Sequence, residues 1–350
     1  MVVLEDTDLD GVADKSTVFV QDPYLVAPMG IGVIDNQIFV SQTPDIIKYT
    51  DVNRNLVYDE GDTREVFLTG FIGSNHDHST HSVIGGPDGK LYFNQGNCGA
   101  KITDGSGRTF YVGSFYYNKG GPQVGWNFNP TTFAGKESDD GHVWVSGFTG
   151  RIDPDGKNME IVGHGYRNSY EQSINSFGDM YQSDNDDPPA CRVSLIMEGG
   201  NAGFASADGQ RSWGADKRPG QETPVAEWRQ DDPGTMPAGD VYGGGSPTGV
   251  AFYENGALDP KWNGLLLAFE AGKNAAGVSE AALGPIQRSI MSAWMLAYRV
   301  TAEEYPNMEQ YVQKYLDRWY DLVENGLPQD VIDSLKDTDL AARDRANRGM

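Results

Sequence analysis

The chain has 350 residues, with 27 Lys and Arg against 50 Asp and Glu, a net charge of −23 and a pI near 4.4. Such a surface repels phosphate backbones, so no nucleic-acid partner is expected. No apolar run reaches the roughly 18 residues of a membrane span, and 44 Gly with 18 Pro suit strands and turns better than a helical bundle.

The opening "MVVLEDTDLDG" has neither the basic start nor the apolar stretch of a signal peptide. It runs into "DTDLDGVAD", which places carboxylates at Asp6, Asp8, Asp10 and Asp14 with Gly11 at the turn. Alternate side chains can converge there on a hard cation, and Gly allows the bend, so the loop is a candidate calcium site. The twelfth loop position is Thr17 rather than Glu, which excludes an EF-hand. A weaker copy follows 45 residues later in "DVNRNLVYD", with Asp51, Asn53, Asn55 and Asp59. Two solvated acidic turns are the plain alternative.

A turn residue, a polar residue, an aliphatic and an aromatic recur as "NQIF" at Asn36, "GKLY" at Gly89, "GHVW" at Gly141 and "GDMY" at Gly178. Each predicts a strand leaving a tight turn. "SPTGVAFYENGALDPKWNGLLLAFEAG" predicts one more strand pair. Intervals of 53, 52 and 37 residues match the blades of a β-propeller, which repeat at about 40–50 residues. The expected fold is all-β: a six-bladed propeller over 1–274, its last blade incomplete, with a helical segment at 275–350. In that segment Met308, Tyr311, Val312, Tyr315, Trp319, Leu322 and Val323 form one apolar stripe at helical spacing.

Three of the five histidines, His76, His78 and His81, fall within six positions of one strand's entrance. Imidazole titrates near neutrality and can act as a general base. The H-x-H-x-x-H spacing also admits a metal site, and structural histidines remain a third reading. "GYRN" places Arg167 and Asn168 on a turn, a planar fork of donors beside an amide, suited to a planar anionic ligand or to bracing local carbonyls. Cys98 and Cys191 form no CxxC. They are compatible with one disulfide or with two buried thiols.

The ordered series of the histidine stretch, "GPDGKLYF", "GYRN", "FGDMYQSDND", "GGNAGF" and "SPTGVAFYENG" resembles the soluble quinoprotein glucose/sorbosone dehydrogenase family. It is most similar to the membrane-bound-dehydrogenase branch of planctomycete-type bacteria. The resemblance covers about residues 2–274. It implies an extracytoplasmic six-bladed propeller that binds pyrroloquinoline quinone (PQQ) and calcium and oxidises a sugar or related alcohol. An electron-acceptor protein would be its partner. The resemblance implies His78 as base with His81 beside it, and Arg167, Asn168 and Lys273 as cofactor contacts. The family's last-blade arginines have no counterpart here. Two rivals stand beside this expectation. One is a non-redox propeller binding glycan or protein through the aromatic stretch Gly113 to Pro130; the other is a carbohydrate-cleaving propeller enzyme.

Overall fold

The computed structural model describes residues 1–73, 78–114, 133–186, 190–243, 247–254 and 263–270. His76, Lys273, most of the aromatic stretch and the expected helical segment lie outside these residues. The chain divides into two units, Met1–Asp184 with Ser194–Ala238, and Asn185–Val193 with Gly239–Met350.

In the first unit, β1 (Val2–Glu5) and β2 (Lys15–Val18) form a hairpin. A four-stranded antiparallel meander follows, from β3 (Gly30–Ile34), β4 (Gln37–Gln42), β5 (Asp45–Thr50) and β6 (Thr63–Thr69). Next come β7 (Thr80–Gly85), β8 (Leu91–Gln95), β9 (Ala100–Thr103), β10 (Thr109–Gly113), β11 (Trp144–Val145), β12 (Gly147–Ile152), β13 (Glu160–Tyr166), β14 (Ser169–Ile174) and β15 (Met180–Asp184). β16 (Cys191–Ile196) begins in the second unit, and β17 (Gly200–Asn201) precedes a short helix, α1 (Thr223–Glu227). β7, β8, β12, β13 and β17 make one sheet, and β9, β10 and β11 another. In the second unit, β18 (Asp240–Gly243) pairs with β16, and β19 (Pro247–Tyr253) pairs with β20 (Leu265–Glu270). The architecture of the described residues is all-β apart from short helical turns. Among the described residues no helix is long and apolar enough to cross a membrane.

One turn chemistry recurs. In Gly86–Lys90, Asp104–Arg108, Ser138–His142, Asp153–Lys157 and Asn175–Asp179, the first residue's N–H donates to the fifth residue's carbonyl at 2.8–3.0 Å. The fourth residue is Gly in every case, and its N–H donates to the first carbonyl. Those glycines have φ between 80° and 91°, a region L side chains rarely adopt. This is why "GKLY", "GHVW" and "GDMY" each start a strand, and "NQIF" does so after Asp35 at φ 54°. The turns at Asp104 and Asp153 follow the same rule although Thr109 and Asn158 stand where the signature has an aliphatic.

The meander buries both faces. Phe39, Ile46 and Leu68 join a core with Val83, Phe93, Phe110 and Phe148. Val40, Ile47 and Tyr49 face the other way, onto Phe19 and Val20. The alternation follows from the period of two along a strand. β3 packs closely on β7: a Cβ on Gly30 would stand 2.1 Å from the His81 carbonyl oxygen. Ser41 Oγ donates to that same carbonyl at 2.5 Å. Cys98 and Cys191 are both buried.

His164, on β13, is buried, and its ring meets Trp144 edge-on at 5.0 Å. Its Nδ1 accepts the Val145 N–H at 3.3 Å, so Nε2 carries the proton. Burial pushes its pKa down to about 4. Because the unfolded imidazole titrates near 6.5, the unfolded chain binds the extra proton first. The stabilisation is complete above about pH 6.5 and is lost as pH falls toward 4, at most ~3 kcal/mol. The urea midpoint of His164→Gln should therefore fall less between pH 7 and 4.5 than that of the parent. Equal losses in the two proteins would remove His164 as the cause.

Candidate active site

The candidate site is built at the entrance to β7 and the turn between β13 and β14, all within the first unit. His78 is 6% exposed and sits at φ +56°, a backbone state uncommon for a residue other than Gly and Asn. Its Nδ1 lies 2.6 Å from Asn97 Oδ1. An amide oxygen only accepts, so Nδ1 carries the hydrogen and the basic lone pair is on Nε2. Asn97 is itself clamped. Its peptide N–H donates to the Arg167 carbonyl at 2.7 Å, and its own carbonyl accepts from Ser114 Oγ. The His78 carbonyl accepts the Cys98 N–H at 3.3 Å.

Arg167 and Asn168 are held from behind by one carboxylate. Asp184, fully buried at the end of β15, accepts the Asn168 N–H at 2.7 Å and the Arg167 N–H at 3.1 Å. Asn168 and His78 meet around Gly96. A Cβ there would stand 2.7 Å from both Asn168 Oδ1 and His78 Cα, so only Gly permits the approach. Arg167 is half-buried, with its guanidinium carbon 5.8 Å from the Phe204 ring centre.

His81 lies on the same seam. Its Nδ1–H donates to the Ser169 carbonyl at 2.7 Å, and its ring lies 4.4 Å from Tyr170 at 31°. It therefore ties β7 to β14. The Nδ1 atoms of His78 and His81 take different partners, Asn97 Oδ1 and the Ser169 carbonyl, and His76, the third residue of the metal reading, lies outside the described residues.

The structure thus brings His78 together with the adjacent pair Arg167 and Asn168, 89 and 90 positions further along the chain. It adds Asn97 and Asp184, which sequence reasoning did not assign to the site. Asn97 stands in "NQGN" with no motif to mark it. Asp184 was visible only as one of the two acids in "DND". The arrangement sets the His78 backbone and the Asn168 amide around Gly96, with the Arg167 guanidinium against the Phe204 ring. That donor set fits a planar anionic group.

The acidic loops superimpose in their hydrogen bonds. In the first, Asp6 accepts the Asp10 and Gly11 N–H groups at 3.2 and 2.8 Å. In the second, Asp51 accepts those of Asn55 and Leu56 at 3.2 and 2.9 Å. Leu9 and Arg54, at φ 61° and 60°, occupy the same place. The contents differ. Asn53 and Asn55 Nδ2 donate to the two oxygens of Asp59 at 3.0 and 2.7 Å, so the second loop is closed by its own amides. In the first, carboxylate oxygens of Asp6, Asp8 and Asp10 lie within 4.8 Å of one another. Asp14, expected with them, is instead engaged by Thr7 through its N–H at 3.0 Å and Oγ1 at 2.6 Å. The Gly11 N–H holds Asp6 below the usual carboxylate range, as the Thr7 hydroxyl holds Asp14.

Residues 1–149 match the sequence profile of a family described as "Domain of unknown function (DUF7133)". No curated protein matches the chain. Among solved structures, the chain is similar to the apo-form soluble aldose sugar dehydrogenase of Escherichia coli at 14% identity, covering 70% of this chain and 86% of that one, with a TM-score of 0.34. The PQQ-bound aldose sugar dehydrogenase of Streptomyces coelicolor gives 14% identity, 78% of each chain and a TM-score of 0.33. The calcium structure of a Trichoderma reesei Carbohydrate-Active Enzymes Family AA12 protein gives 16%, 73% of this chain, 65% of that one and 0.43.

Removing the Asp184 carboxylate leaves two peptide N–H groups without their acceptor. Asp184→Ala should cost about 3 kcal/mol in urea denaturation, and Asp184→Asn, which keeps one acceptor oxygen, should cost less. Equal stability of Asp184→Ala and the parent would remove the anchoring role.

Proposed function

We propose that the chain is an extracytoplasmic β-propeller oxidoreductase that uses PQQ and calcium to oxidise a sugar or related alcohol. The observation that carries this reading is the fixed tautomer of His78, buried beside Asn168 and the Arg167 turn. In the proposed ring, six blades occupy 1–274, and 275–350 is a helical appendage. The aldose sugar dehydrogenases and the AA12 protein support the reading as likenesses.

PQQ, when bound, supplies the two-electron acceptor for the substrate's hydride, and calcium a Lewis acid. His78 Nε2 takes the substrate's hydroxyl proton. Asn97 keeps that nitrogen basic by accepting the Nδ1–H, and it goes on accepting once the ring is cationic. Arg167 and Asn168 hold the anionic, planar side of the ligand, Arg by its fork of donors. His81 steadies the strand that follows His78. Lys273 is a further contact in this proposal.

Two experiments test this reading. Purified protein given PQQ and calcium should bind the quinone and reduce a dye when supplied with aldose. His78→Ala should lower kcat by at least about 100-fold, in the range of a lost general base, while quinone binding stays within a few-fold. Arg167→Ala should weaken quinone binding itself by about tenfold or more, a charge-assisted bond being worth roughly 1.5–3 kcal/mol. Absence of any quinone binding would overturn the proposal.

Calcium is also proposed for the first acidic loop, at the tip of the β1–β2 hairpin. A ligand bound only by the folded state raises the melting temperature. Millimolar calcium should raise it, and Asp8→Ala with Asp10→Ala should abolish the rise. Replacing Asn53 and Asn55 by Ala should leave the calcium response intact. A parent protein indifferent to calcium would remove the ion from this loop.

A further inference from the structure

Beside the candidate site, six polar side chains close a ring between two sheets of the first unit. Ser82 Oγ, on β7, donates to Glu171 Oε1, on β14, at 2.5 Å. The Ser82 N–H donates to Asn94 Oδ1, on β8, at 2.9 Å. Asn94 is the cross-strand neighbour of Thr149, on β12. Thr149 Oγ1 donates to Gln182 Oε1, on β15, at 2.9 Å. Gln182 is the cross-strand neighbour of Gln172, and the Gln172 N–H reaches back to Glu171 Oε1 at 3.4 Å.

Five of the six are buried: Asn94, Thr149 and Gln182 at 0% exposure, Ser82 and Gln172 at 2%. Glu171 is partly open. The ring does not satisfy itself. Asn94 Nδ2, Gln182 Nε2 and both amide atoms of Gln172 have no hydrogen-bond partner among the described residues. Native interiors seldom leave such groups unmet, because each loses its solvation without return. Here four atoms from three amides are left together.

Their chemistry selects the occupant. Three are N–H2 donors and one is a carbonyl acceptor. A metal cation could bind only the oxygens and would leave the three donors unmet. An anion would serve the donors but would sit beside the Glu171 carboxyl and leave Gln172 Oε1 without a donor. A small neutral group that both donates and accepts fits all of them, whichever way each amide is turned. We propose that this ring is an internal hydration site, enclosing water molecules that accept from the Asn94, Gln172 and Gln182 amides and donate to Gln172 Oε1 and Glu171. Among the described residues no cationic side chain pairs with Glu171, and burial raises its pKa, as expected of a carboxyl facing neutral partners. The enclosed water joins β7, β8 and β12 to β14 and β15, so it sets how the strand carrying His81 lies against the strand that follows Asn168. The four amide atoms and the Glu171 carboxyl are the kind of polar partners that conserved buried waters use.

This proposal does not depend on the redox reading, and its test needs no quinone. A high-resolution crystal structure of the full chain should show ordered water within about 3 Å of these amides. Amides turned onto one another with no density between them would overturn it. So would a peak with oxygen ligands near 2.4 Å, the mark of a cation. In solution, Gln172→Met removes the polar partners while conserving volume. If water fills the ring, the melting temperature falls, by about 3–6 °C. A dry ring of orphaned amides gains from losing them, so an unchanged or raised melting temperature counts against the proposal. Gln182→Met is the second variant and carries the same sign. The parent's melting temperature should be the same in sodium chloride and in choline chloride at equal ionic strength. A rise specific to sodium would replace the water by an ion and overturn the proposal.

Discussion

The candidate site depends on one hydrogen bond, from His78 Nδ1–H to Asn97 Oδ1 at 2.6 Å. It fixes the imidazole tautomer and leaves the basic lone pair on Nε2. Asn97 can hold the ring because its own peptide is held, its N–H by the Arg167 carbonyl and its carbonyl by Ser114. His78 and the arginine turn are therefore joined through one residue's backbone and side chain. Movement of the β13–β14 turn would carry the acceptor with it. The left-handed backbone of His78 is held in place by these bonds.

Close approach between strands is the second requirement. Gly96 lets His78 and Asn168 share one space, and Gly30 lets β3 lie on the carbonyl of His81. The sheets thereby meet partly through polar groups: Ser41 to His81, His81 to Ser169, Ser82 to Glu171. A purely apolar seam would pack without direction. A polar one fixes register, because each misplaced group would be left unsatisfied. The hydrophobic core built on Phe39, Phe93, Phe110 and Phe148 supplies the burial that offsets ordering the chain.

The acidic loops show one backbone design with two fillings. Both fold around an Asp that accepts two peptide N–H groups four and five residues ahead. Where Asn occupies the alternate positions, amide hydrogens neutralise the remaining Asp. Where Asp occupies them, like charges gather at the surface, and Coulomb repulsion is relieved by solvent or by a cation. The difference lies in two side chains of nearly equal size, Asp8 and Asp10 against Asn53 and Asn55.

Strand starts, turns and the all-β class were legible in the sequence, because period-two patterning and left-handed glycines act locally. "GKLY" and "GDMY" open strands for that reason alone. The first acidic loop was legible for the same cause, apart from Asp14, whose partner Thr7 is chosen by the hairpin's geometry. Arg167 and Asn168 could be read as a donor pair. That Asp184 anchors them, that Asn97 sets the His78 tautomer and that His81 ties β7 to β14 could not. Each of those contacts joins residues 16 to 89 positions apart, and only the packing of one sheet on another brings them within hydrogen-bond reach.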